Sequence, residues 1–284
     1  MAGINFDFTA GTLPGGIAFT RSTTGTYNSS GGILTVAAIN APRFNFVGGT
    51  ACLLIEPAAT NLLLQSNNFS NASWFLFNGA AATAAQFVSP DGTNNGWSIS
   101  SGTGFAGPQQ FLTFSNVLQT VSVWVKRITG AAPLSIQLNN VNTGDLVTST
   151  TLTRFARAMT PSAGAANASF FVDDVSGKVN GFYGAQLEIG PVATSYIPTT
   201  TAAGARAADS ATFTIPAGVS QLTFKFDDNS TQIVAATPGS YTIPTNLNRA
   251  NIKTIVGPQA AGRVAAPSDL EGLGGVGQMR VNRL

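Results

Sequence analysis

The sequence predicts an all-β protein: a jelly-roll β-sandwich with a small N-terminal β-region and a small C-terminal β-domain. Three observations carry this expectation. Helical periodicity is nearly absent, and apolar residues alternate or run in short blocks between Gly, Pro, Asn and Ser clusters, the mark of many short strands. Hydrophobic residues make up 44% of the 284, enough for sizeable cores. Charged residues make up only 9%, against about 25% in ordinary soluble domains, so Ser, Thr, Asn, Gln and Gly fill the polar strand faces.

Residues 1–65 hold short strands broken by "AGTLPGG", "STTGTYNSSGG" and "VGG" and form the N-terminal β-region. Residues 66–200 contain strand-like blocks near 74–77, 97–100, 110–114, 117–128, 134–139, 151–159, 168–172 and 179–189, a number that suits a two-sheet jelly roll. "LQTVSVWVKRI" is the clearest block. Val121, Val123 and Val125 take one face, and Ser122, Trp124 and Lys126 the other. "PLSIQLNN" puts Leu134, Ile136 and Leu138 opposite Ser135 and Gln137. In "GFYGAQLEIG", strict alternation groups Tyr183, Ala185, Leu187 and Ile189 against Phe182, Gly184, Gln186 and Glu188, and Gly190-Pro191 ends the ladder. Residues 201–256 read as a connector, "TTTAAGARAADS", and a small β-domain in which "DDNS" turns a hairpin between "QLTFKF" and "TQIVAA". Three Ile-Pro steps sit where ladders end, because proline donates no backbone hydrogen bond. Residues 257–284 lack the apolar pattern for a core and read as an extended tail.

Composition excludes several function classes. Fourteen basic and 12 acidic residues give a net charge of +2 with no basic block, which disfavours nucleic acid as a partner. The chain has no histidine, which removes the usual zinc sites and His-dependent catalytic triads and dyads. Cys52, in "ACLLIEP", has no internal disulfide partner and reads as a small buried hydrophobe. No apolar run is long enough to span a membrane as a helix, so no membrane insertion is expected. "MAGINFDFTAG" lacks the pattern of a secretion signal, and synthesis in a host cytoplasm is the expectation.

Three stretches carry a family resemblance: "FTRSTTGTYNSSGGILTVAAINAPRFNF", "LLIEPAATNLLLQSNNFSNASW" and "GAQLEIGPVATSYIPTTTAAGARAAD". They resemble a module of tailed-bacteriophage structural proteins of the tail-fibre, head-fibre or decoration type. The segment 66–198 is similar to jelly-roll carbohydrate-binding modules, with "TVSVWVKR" resembling a central strand. The resemblance implies a virion protein whose partners are other capsid or tail proteins, copies of itself and host surface glycans.

Sugar recognition needs flat rings against C–H faces and polar groups for hydroxyls. Trp124, beside Ser122 and Lys126, is the first candidate platform. Trp97 and Gln186 are further candidate glycan contacts. Packing of Trp124 under an adjoining domain is the competing reading. Trp74 reads as an anchor for the first strand. Glycoside hydrolysis wants two carboxyls about 5–9 Å apart. The adjacent pairs Asp173-Asp174 and Asp227-Asp228 do not signal that arrangement, since neighbours on a strand diverge and Asp forms turns. No cofactor or metal motif is present. In the tail, Met279, Arg280, Val281, Arg283 and Leu284 are candidate attachment residues. The functional expectation is a non-enzymatic short fibre, spike or decoration protein that adheres to host glycans. A decoration protein without glycan binding is the alternative, and a polysaccharide depolymerase ranks third.

Overall fold

A computed structural model describes residues 3–131, 133–146, 148–172 and 177–258. The proposed tail contacts Met279 to Leu284 and the pair Asp173-Asp174 lie outside the described residues. Every regular element among the described residues is a strand, and every pairing is antiparallel.

The chain begins with β1 (Ile4–Asp7), β2 (Ala18–Thr20), β3 (Gly25–Asn28), β4 (Leu34–Ala37), β5 (Phe44–Val47), β6 (Thr50–Leu54) and β7 (Ala59–Asn61). Then come the sandwich strands β8 (Phe75–Phe77), β9 (Ala81–Phe87), β10 (Gly96–Ser100), β11 (Gly107–Phe114) and β12 (Gln119–Thr129). They continue with β13 (Leu134–Leu138), β14 (Val141–Leu146), β15 (Thr153–Met159), β16 (Gly164–Val172) and β17 (Val179–Ile189). The last part holds β18 (Gly204–Arg206), β19 (Ser210–Ile215), β20 (Gln221–Phe226), β21 (Thr231–Ala235), β22 (Gly239–Thr242) and β23 (Asn251–Gly257).

The sandwich consists of two five-stranded sheets, β15-β12-β17-β10-β9 and β14-β13-β16-β11-β8. Most consecutive strands switch between sheets, as in a jelly roll, while β9–β10 and β13–β14 are hairpins within one sheet. The alternation expected for β12 and β13 is observed. Val121, Val123 and Val125 meet Leu134, Ile136, Leu138 and Phe170 in one core. Each such side chain contributes about 1.5–3 kcal/mol by leaving water.

In β17 the expected alternation fails. Phe182, Ala185 and Leu187 all point into the core. The register against β12 shifts by one residue between the pairs Ser122↔Gln186 and Trp124↔Tyr183. Gly184, at φ +61°, absorbs that extra residue, and the bulge reverses the phase of everything before it. Tyr183 is thereby turned to the outer face beside Trp124, where the rings lie 5.8 Å apart. A side chain at Gly184 would be strained, because the positive φ disfavours it and a Cβ there would lie 3.0 Å from the Trp124 ring and 3.2 Å from Tyr196.

The N-terminal region and the C-terminal β-domain, expected as separate pieces, are one unit. β23 pairs with β1, β6 and β20, and β19 pairs with β2 and β22. Ile4, Phe8, Leu53 and Ile55 share a core with Phe213, Leu222, Phe224, Phe226 and Ile255. The sandwich is inserted into this discontinuous unit. The chain enters it after β7 and returns through β18, and these two strands pair, Asn61 opposite Gly204. Periodicity within a strand says nothing about a partner two hundred residues away, so the boundaries at 65 and 200 concealed a single domain. The β20–β21 hairpin forms as expected, with Asn229 in the left-handed conformation at its turn.

Candidate functional site

The outer face of the sheet β14-β13-β16-β11-β8 carries an open cleft of about 700 Å³. Strand register builds it. Gln109 pairs with Ser169, Ser169 with Gln137, and Gln137 with Asn142, so one polar row crosses four strands, and Phe75 opposite Gln109 ends it on β8. Phe111 pairs with Asn167 in the adjoining position of the same face. Gly107 allows β11 to approach β16, since a Cβ there would fall 2.0 Å from the Phe170 carbonyl oxygen.

Aromatic rings border the row. Phe77 and Phe171 have centroids 5.9 Å apart, Phe105 and Phe171 6.2 Å, and Phe75 and Phe77 6.5 Å. Phe111 is 71% exposed, Phe75 63% and Phe105 50%, although each is a large apolar ring. The amides between them are only partly engaged. Ser169 Oγ donates to Gln109 Oε1 at 3.2 Å, and Ser135 Oγ donates to Asn142 Oδ1 at 3.0 Å. The side-chain amides of Gln137 and Asn167 line the cleft without an intramolecular hydrogen bond. Among the described residues, no lining side chain carries a formal charge. The surface therefore offers ring faces and paired donors and acceptors. It offers no carboxylate for acid–base work on a glycosidic bond.

The residues expected to contact glycan lie elsewhere, mostly on or under the opposite sheet, and most are committed to the fold. Trp97 points into the sandwich core, and its Nε1 donates to the Asn67 carbonyl at 2.8 Å. Ser122 is fully buried, and its Oγ accepts from Arg154 Nη2 at 2.9 Å. Gln186 is fully buried too. Its Oε1 accepts from the Ile197 amide at 2.6 Å, which pins the segment after β17. Lys126 extends over the Phe87 ring at 5.3 Å. Trp124 is no open platform, because the Arg154 guanidinium stacks on it 4.5 Å from the ring centroid and Tyr196 closes edge-on at 5.6 Å. Its strand face is the expected one, and the half-buried ring keeps one side lining a second, smaller crevice beside Arg154 and Tyr196. Trp74 anchors the start of the sandwich as expected, its Nε1 donating to the Gln65 carbonyl at 3.0 Å.

Beyond the crevice that Trp124 lines is the junction with the discontinuous unit. Three buried arginines, Arg21, Arg43 and Arg206, meet two buried carboxylates, Glu56 and Asp209. Arg21 reaches Asp209 at 3.0 Å, Arg43 reaches Glu56 at 2.8 Å and also Asp209, and Arg206 reaches Glu56 at 3.4 Å. Burial pushes the Glu56 carboxyl up, but Arg43, Arg206 and the Ser195 hydrogen bonds outweigh it and hold the group below its ordinary value. Burial pulls the Arg154 guanidinium down, against the neighbouring Glu188 and Glu56. Burial raises the Tyr196 hydroxyl to about 12. Asn61 stitches the same seam by donating to the Ala185 and Ile197 carbonyls at 3.1 and 2.9 Å. The stretches "IEPAATNLL" and "GAQLEIGPVATSYIPT" thus meet at this seam, a structural role that sequence reading left unassigned.

No family model and no curated protein matches the chain. Among solved structures, it is similar to the CBM22-1 xylan-binding domain of Paenibacillus barcinonensis Xyn10C. The identity is 11% and the TM-score 0.38, over 49% of this chain and 99% of that one. A CBM4 structure matches at 16% identity and a TM-score of 0.32, over 44% of this chain and 94% of that one. The enzymatically active domain of tailspike protein 4 from bacteriophage CBA120 matches at 14% identity and a TM-score of 0.31, over 45% of this chain and 20% of that one. All three likenesses are distant, and each spans less than half of this chain.

Proposed function

We propose that this chain is a non-enzymatic adhesive protein that holds a glycan in the cleft on the β14-β13-β16-β11-β8 face. The observation that carries the reading is the uncharged row Gln109–Ser169–Gln137–Asn142 bordered by exposed phenylalanines. Exposed rings satisfy sugar C–H faces, and uncommitted amides satisfy hydroxyls. The resemblance of the Ile55–Leu63 and Gly184–Thr199 stretches to phage structural proteins supports display on a virion, as a short fibre, spike or decoration protein among other virion proteins.

Glycan-array screening followed by calorimetric titration tests this. Removing one stacked ring costs about 1–3 kcal/mol by analogy with base stacking, so Phe111→Ala should weaken binding about tenfold or more. A folded Phe111→Ala protein with unchanged affinity removes the cleft from consideration. A blank array together with strong binding to phage shells favours the decoration role without glycan.

A further inference from the structure

Behind the Trp124 face, between the sandwich and the discontinuous unit, lies a second and smaller cavity of about 290 Å³. At about 30 Å³ per water it holds on the order of ten waters, the size of one sugar ring and too small for a chain. Tyr27, Asn28 and Asn251 line it from one unit, and Trp124, Arg154 and Thr194 from the other. We propose that this crevice binds a small carboxylate-bearing sugar, of the hexuronate class, with Arg154 receiving the carboxylate.

The groups left free in the crevice point to that chemistry. Arg154 is held rigidly, since Nη1 donates to the Thr194 carbonyl at 2.8 Å and Nη2 to Ser122 Oγ at 2.9 Å. Its Nε–H is buried and has no partner, as are those of Arg43 and Arg206 in the ion cluster behind. Among the described residues, the Tyr27 hydroxyl, the Asn28 side-chain amide and Asn251 Nδ2 have no hydrogen-bond partner. Glu56, the carboxylate lining the crevice, is already engaged by Arg43 and Ser195. The free inventory is therefore dominated by donors. The ion cluster contributes one more guanidinium than carboxylates. A donor-rich site beside a cationic cluster favours an acceptor-rich anion, and charge-assisted bonds to a preorganised guanidinium are the strong ones. The open cleft on the other face has no charged lining residue among the described residues, so the two sites should sort ligands by charge.

The test titrates the full chain with glucuronate, and with glucose as the neutral ligand of matching size. Tryptophan fluorescence reports on Trp124, and calorimetry gives the affinity. Saturable glucuronate binding that weakens with salt is expected, with no glucose binding over the same range. Arg154→Gln should cost about tenfold or more, the loss of a charge-assisted hydrogen bond. Because Arg154 also braces the fold, Tyr27→Phe serves as a second variant. It removes a hydroxyl with no internal partner and should cost several-fold. Phe111→Ala, in the other cleft, should leave glucuronate affinity unchanged and so separates the two readings. Absence of saturable glucuronate binding overturns the proposal. So does equal binding of glucose, unchanged affinity in a folded Tyr27→Phe protein, or loss of glucuronate binding in Phe111→Ala.

Discussion

The two outer faces of the sandwich are built from the same kinds of residue and do different things. One face leaves Phe111, Gln137 and Asn167 open to solvent. The other presents Ser122, Trp124, Gln186 and Glu188, and a second folded unit closes over it through buried ion pairs. The other face has the larger ring, yet the open face keeps the side-chain amides of Gln137 and Asn167 uncommitted among the described residues. A polar strand face becomes a binding surface only if the rest of the chain leaves it uncovered.

The covered face should be the sensitive one. Asp209→Ala would strand Arg21 and Arg43 in the interior, and breaking a buried pair costs about 3–5 kcal/mol. Chemical denaturation should show that loss, and a change below about 1 kcal/mol would mean that water reaches the cluster. Gly184→Val is next. It places a β-branched residue in the left-handed region against Trp124, a strain on the order of 1–3 kcal/mol, read as a lower Tm and an altered near-ultraviolet signal. Unchanged spectra would show that the bulge relaxes.

Two glutamines sharpen the contrast further. Gln186→Ala leaves the Ile197 amide without its acceptor and should destabilise by about 1–3 kcal/mol while sparing glycan affinity in the cleft. Gln137→Ala should do the reverse, with stability within about 0.5 kcal/mol and weaker glycan binding. The same outcome for both variants would erase the distinction between the faces.

The smallest effect concerns pH. Asp91 accepts hydrogen bonds from Ser89, Thr93, Asn95 and Tyr183. Burial would raise its carboxyl, but these bonds outweigh it and lower the pKa from 3.8 to about 2. A depressed folded-state value stabilises above the unfolded value and is lost as pH falls. The loop 89–95 should therefore loosen between about pH 4 and pH 2, visible in amide exchange. Loosening that begins near neutral pH would point to another group.

Much of this was legible from local pattern. Val121, Val123 and Val125 announced their face, and "DDNS" announced its turn. Two kinds of information were not local. A single inserted residue at Gly184 reverses the phase of a strand, and only the partner register reveals it. The packing on Trp124 depends on Arg154 and Tyr196, which reach it from β15 and from the segment after β17, and the single discontinuous unit depends on β1 meeting β23 across the whole chain. The cleft did leave a trace. Phe111 shares its strand phase with Gln109 and Thr113, and Phe171 shares its phase with Ser169. A phenylalanine on the polar phase of a strand is a signal for an exposed ring, and it was overlooked in favour of the tryptophans.

The pairing of β7 with β18 also fixes how the molecule would carry mechanical load. Ile4 and Gly257 lie opposite each other in the β1–β23 pair, and the sandwich hangs from the adjacent strands β7 and β18. A pull applied at both ends would peel β1 from β23 one hydrogen-bonded pair at a time, while the clamped sandwich stays outside the force path. In single-molecule stretching, the discontinuous unit should yield first and at low force, followed by a separate event that releases the sandwich. A first rupture with the contour length of the sandwich would contradict this. In that arrangement the sheet that carries the cleft stays folded after the pair β1–β23 has given way.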